Sequence, residues 1–189
     1  MEDKPKRPRI EHIASKMSEA VKVDDALEFI KCLGSKNARR ITTFQEYIML
    51  DIWYDKHYVS RSQTPDDRGM YRDVPLNEVQ SLVERSFKHL LFYSTKVSNF
   101  SFLNHEFNGN FALRVILKDS HSYSTKSLCI ACEIHFINFN KYEVTVKTAI
   151  DGQLHMGDGQ FMVEMIGDCH SILQKFKKGN FEEIYSCQD

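Results

Sequence analysis

The chain has 189 residues and a mass of 22.1 kDa, enough for one domain with a buried core, and its 42% hydrophobic content excludes bulk disorder. Its 25 Lys and Arg nearly cancel its 26 Asp and Glu, so a net charge of −1 provides no global field for nucleic acid, and any RNA contact must be a local patch. No apolar run reaches the roughly 18 to 20 residues needed to span a bilayer, so no membrane partner is expected.

Residues 1–9, Met-Glu-Asp-Lys-Pro-Lys-Arg-Pro-Arg, have nothing to bury and read as a flexible basic arm. A helical region is expected over residues 10–40. Ile10, Ile13, Ala14, Met17, Ala20 and Val21 recur at helical spacing, and Asp24-Asp25 caps a second helix that runs through Phe29 and Leu33 to a terminal Gly34. Residues 41–189 read as a single α+β domain. Its first part, Ile41 to Tyr58, fits either helix or strand, with helix favoured for the second half. Ser62 to Gly69 is loop by composition.

Pro75 then stands at the start of the clearest amphipathic helix, with Val74, Val79, Leu82, Val83, Ser86, Phe87, Leu90 and Leu91 on the face that should pack on a sheet. Strands follow at 100–103, 111–117, 128–137, 142–150 and 161–166, with turns at Asn108-Gly109 and Asn138 to Lys141, and a short last helix is read over Ser171 to Phe176. In the 142–150 strand, Tyr142, Val144, Val146 and Thr148 point one way while Glu143, Thr145 and Lys147 point the other. The expected fold class is therefore α+β: N-terminal helices followed by a mainly antiparallel β-sheet with a helix packed on one face.

The chain has no glycine-rich phosphate loop, His-Glu-x-x-His, Gly-x-Ser-x-Gly or dinucleotide fingerprint, so nucleotide-driven and zinc-protease chemistry fall away. Cys129-x-x-Cys132 has knuckle spacing but lies in an apolar strand with no second pair, so no metal and no cofactor are expected. The five cysteines sit in apolar contexts with no signal-peptide pattern ahead of them, which reads as reduced thiols in a cytoplasmic protein. His135 alternates with Glu133 on one strand face, a two-residue cluster to which the sequence assigns no role.

His57 and Arg61, four apart, would share one helix face, and Arg68 and Arg72 follow closely. Cleaving RNA without a metal needs a base for the 2′-hydroxyl, cations for the phosphate and an acid for the leaving oxygen. The order His57-x-x-x-Arg61, a helix, then a sheet ending in Val-Thr-Val-Lys147-Thr resembles the RelE/barnase-like ribonuclease fold over about residues 50–150, especially the phage RegB-type endoribonucleases.

In that family a comparable His-x-x-x-Arg precedes a helix with two histidines spaced five apart; the similar helix here keeps the second, His89, and has Glu84 where the first would stand. The resemblance implies a metal-independent endoribonuclease. On that resemblance His57 and Glu84 would be the acid and base, Arg61 and Arg114 would hold the phosphate and Lys147 would stabilise charge from the sheet; His89 is counted with the catalytic residues, and Arg68 and Arg72 with Arg114 among those that bind substrate. Two other functions stay open at this point: a non-catalytic phage or toxin-system protein that binds a host or partner protein, and a nucleic-acid-binding module without catalysis.

Overall fold

A computed structural model describes residues 31–45, 48–56, 58, 74–104, 112–120 and 127–188. Their elements are β1 (Ala38–Gln45), β2 (Met49–Asp55), α1 (Leu76–Lys96), β3 (Leu103–Asn104), β4 (Val115–Asp119), β5 (Leu128–Asn138), β6 (Lys141–Asp151), β7 (Phe161–Met165), β8 (His170–Lys177) and β9 (Asn180–Gln188). They make one nine-stranded sheet in the order β1-β2-β6-β5-β4-β7-β8-β9, with β3 also beside β5.

The expected α+β class, with helices first and a mainly antiparallel sheet, is corrected by this topology. Strand dominates the described residues and the sheet is mixed: β2 runs parallel to β6, β3 to β5 and β4 to β7. The parallel pairs follow from crossovers. After β2 the chain passes through α1 and three further strands before β6 returns beside it, and such a return is free to be parallel. The arm at 1–9 and most of the helical region at 10–40 lie outside the described residues. Within the described part, residues 31–33 are not helical, Gly34 ends no helix, and β1 begins at Ala38.

Two further expectations change for one physical reason. Met49–Asp55, read as helix, is β2: Leu50, Ile52 and Tyr54 enter the core while Asp51 and Asp55 meet lysines of β6 on the other face. Period 2 wins because both faces find partners that only sheet pairing supplies. Ser171–Phe176, read as a last helix, lies within β8, flanked by β7 and β9.

The amphipathic helix is present as α1. It starts after Pro75, with Glu78 in its first turn and Lys96 in its last, matching the helix dipole. Val79, Leu82, Val83, Phe87, Leu90 and Tyr93 bury their side chains in one core with Ile52, Leu117, Ile130, Ile134, Val144, Val146 and Val163 from five strands. Arg85 ties the helix to the sheet through Asp119 at the end of β4 and, at 3.3 Å, Asp168.

Burial makes a clear contrast between two helix positions. Leu82→Ala, at a fully buried site, should cost about 3 kcal/mol. Leu76→Ala, at an exposed site, should cost no more than about 0.5 kcal/mol. Urea midpoints of the two variants check this.

Candidate functional site

The sheet face turned away from α1 is polar over β2, β6 and the second half of β5, and carries a small apolar cluster of Ile116, Ala131, Met156 and Met162 over β4 and β7. Along β6, Val144 and Val146 join the core and Glu143 and Thr145 take the other side. A β-bulge follows: Cys132 pairs with Val146 and Ala131 with Thr148, leaving Lys147 as the extra residue. Such a bulge re-aims side chains. It puts Ala149 on the core side and sends Thr148, expected on the apolar side, to the same side as its partner Ala131.

Register then builds rows of charge. Asp51 of β2, Glu143 of β6, His135 of β5 and Asn104 of β3 are successive partners, and Trp53, Thr145 and Glu133 form the next row. Three cations close on this face. Lys141 Nζ lies 3.1 Å from Asp51 Oδ2, Lys147 Nζ 2.9 Å from Asp55 Oδ2 and Arg114 Nε 2.9 Å from Glu133 Oε1. The carboxylates are buried, so these pairs keep charge from standing uncompensated away from water.

Residues 32–35 cross this face as a strap. Leu33 N–H donates to Glu143 Oε1 at 2.6 Å, Lys147 Nζ donates to the Gly34 carbonyl at 2.9 Å, and Ser35 Oγ donates to Asp55 Oδ2 at 2.5 Å. Cys32 Sγ lies 3.2 Å from Thr145 Oγ1. Burial pushes the Cys32 thiol up to about 11, so it is no activated nucleophile at neutral pH. Burial also raises the Glu143 carboxyl above its ordinary range, against the lowering effect of Leu33 N–H.

His135 is fully buried, and neither ring nitrogen has a hydrogen-bond partner among the described residues. Burial first and the Lys147 charge second hold its pKa below 6.5. The Trp53 indole N–H, on the same face, is also buried without a partner.

The site residues expected from sequence divide three ways. His57, Arg61, Arg68 and Arg72 lie outside the described residues. Glu84 and His89 sit on α1. Glu84 accepts from Gln80 Nε2 at 3.3 Å and is raised by burial, while His89 is buried with Nδ1 2.9 Å from Ser171 Oγ, itself 2.7 Å from the Tyr93 hydroxyl. Lys147 and Arg114 lie on the opposite side of the sheet, each engaged by a carboxylate. The sheet thus brings Lys147 and Arg114 to one face and separates them from Glu84 and His89. His135, Glu143 and the strap were missed, although the alternation of Glu133 with His135 and of Glu143 with Thr145 was visible.

Cys129 and Cys132 are free, buried and raised by burial. Three apart on a strand, they face opposite sides and cannot share a ligand. Among the described residues no three His, Cys, Asp or Glu side chains gather to hold a metal ion, and no helix is long and apolar enough to cross a membrane.

The β5–β6 turn carries another exposed feature. Phe139 is 95% exposed with φ of 38°, and Ile137 beside it is 38% exposed. At the base of the hairpin, Phe136 packs on Tyr142 with ring centroids 5.5 Å apart, and Tyr142 packs on Phe87 of α1 at 5.0 Å. Comparison with family models, with curated proteins and with solved structures gives no match.

Two outcomes follow from the polar face. Lys147→Met takes the neighbouring positive charge from buried Asp55 and should cost about 3 kcal/mol by urea denaturation. For His135, a folded pKa below the unfolded 6.5 means that the unfolded chain takes up the proton first, so stability falls as pH drops from 6.5 toward the folded value. Glu143 slopes the other way above 4.5 and cancels in a comparison of variants. His135→Leu should match or exceed the wild type by about 1 kcal/mol at pH 7.5, since it removes two unmet polar atoms. That gap should widen on acidification, measured by urea midpoints from pH 7.5 to 5.

Proposed function

We propose that this chain is a non-catalytic protein-binding module that presents the β5–β6 hairpin tip to a partner with an apolar pocket. The observation that carries the reading is Phe139: a large aromatic side chain, almost wholly in water, on a backbone conformation that disfavours it. A left-handed conformation costs a residue with a side chain about 1–2 kcal/mol, and exposure returns nothing to the fold. Features that cost stability without packing mark functional positions. Ring contacts of Phe136 with Tyr142 and of Tyr142 with Phe87 tie the base of the hairpin to α1, an arrangement that favours a pre-organised anchor of the kind found in aromatic hot spots of protein interfaces.

The separation of Glu84 and His89 from Lys147 and Arg114 by the sheet supports this reading over the endoribonuclease. Lys147, which that mechanism needs at a phosphate, is spent on Asp55 and the Gly34 carbonyl.

The test has two arms. A photo-crosslinking phenylalanine analogue at position 139 should give one saturable adduct in host extract, competed by excess wild type and not by Phe139→Ser. Incubation with cellular RNA in chelator should give no cleavage; cleavage that is lost in His57→Ala would overturn the reading in favour of the nuclease. Phe139→Gly, added in excess, should fail to compete for the adduct yet be more stable than the wild type by about 1 kcal/mol, because glycine takes the turn conformation without strain. Thermal unfolding of that variant checks the second half.

A further inference from the structure

The strap lies on β6 as a peptide lies in a receptor. Glu143 takes a backbone N–H from Leu33, Lys147 gives a hydrogen bond to the Gly34 carbonyl, and Asp55 takes the Ser35 hydroxyl. Between these contacts the backbone touches the sheet so closely that a Cβ at Gly34 would stand 2.7 Å from Thr145 Oγ1 and 2.8 Å from Thr145 Cβ. Thr145 is fully buried in the middle of the sheet and has little room to give way. The surface therefore reads one backbone donor, one backbone acceptor, a hydroxyl, and the absence of a side chain between them. Nothing in that set requires the peptide to belong to the same chain.

The fit is also incomplete. His135, the cross-strand partner of Glu143, and Trp53, the neighbour of Thr145 on β2, keep buried ring nitrogens without partners among the described residues. A buried polar group left unpaired costs roughly 1–3 kcal/mol. A segment that seats the same glycine and also hydrogen-bonds to His135 or Trp53 gains what the strap forgoes.

We propose that the Glu143–Thr145–Lys147 strip with Asp55 is a receptor for a glycine-containing peptide strand, occupied in cis by Cys32-Leu33-Gly34-Ser35 and open to a competing segment in trans. The surface does not use Phe139, so it stands or falls separately from the hairpin-tip reading.

The probe is a fluorescent peptide of residues 30–37, Ile-Lys-Cys-Leu-Gly-Ser-Lys-Asn, titrated against the full chain under reducing conditions and read by anisotropy. Wild type, with its own strap seated, should bind weakly. Gly34→Ala, whose strap clashes with Thr145, should bind at least tenfold tighter. The same peptide with alanine at its glycine should lose at least tenfold on that variant, and adding Lys147→Ala should do likewise, whereas adding Phe139→Ser should change nothing. A folded Gly34→Ala chain that binds both peptides equally, or neither, overturns the proposal and leaves the hairpin-tip reading untouched. If Gly34→Ala does not fold, amide hydrogen exchange on the wild type decides. The Leu33 amide should exchange by local opening, faster than the amides of Val144 and Val146 and insensitive to low denaturant. Exchange of all three together, by global unfolding, means that the strap never leaves and ends the idea.

Discussion

The middle of strand β6, Glu143 to Val146, is removed from water on both sides, and much of the molecule answers to that constraint. On one side the burial is apolar, and α1 supplies it with a stripe of Val, Leu and Phe side chains. On the other side the strand carries Glu143 and Lys147, for which apolar cover would be ruinous, since charge without a partner in a low-dielectric setting costs several kcal/mol. The resolution is register. A parallel β2 delivers Asp51 to Lys141 and Asp55 to Lys147, and an antiparallel β5 sets Glu133 beside Arg114. The strap then satisfies the inward atoms that remain, apart from the rings of His135 and Trp53.

The outer strands show a different control. β1 contains Arg39 and Arg40 and a bulge after Arg40; β9 contains Glu182 and Glu183 and a bulge opposite Leu173/Gln174. Charges and bulges on edge strands oppose the addition of further strands from other copies. β9 still leaves Phe181 and Tyr185 partly in water, and Phe139 at the β5–β6 turn is far more exposed than either.

The His89, Ser171 and Tyr93 network shows why residue types alone mislead. A histidine nitrogen 2.9 Å from a serine hydroxyl has the make-up of a nucleophile and its base. Here all three groups are buried beneath α1, and burial pushes the Tyr93 phenol up. Tyr93 also donates to the Ser171 backbone carbonyl, so the network positions α1 over β8, an act of packing and polar satisfaction.

The linear chain by itself determined the parts that local pattern controls. The 3.6-residue period placed α1, alternation placed β5 and β6 and separated Val144 and Val146 from Glu143 and Thr145, and apolar context marked Cys129 and Cys132 as core thiols. Tertiary structure decided the rest. Met49–Asp55 and Ser171–Phe176 are short segments whose apolar residues suit helix or strand, and cross-strand partners far along the chain made the choice. The parallel pairings, the bulge at Lys147 and the meeting of residues 32–35 with β6, more than a hundred positions away, leave no trace in local sequence. Hydrophobic period reports which side of an element is buried; which other element buries it depends on the whole fold.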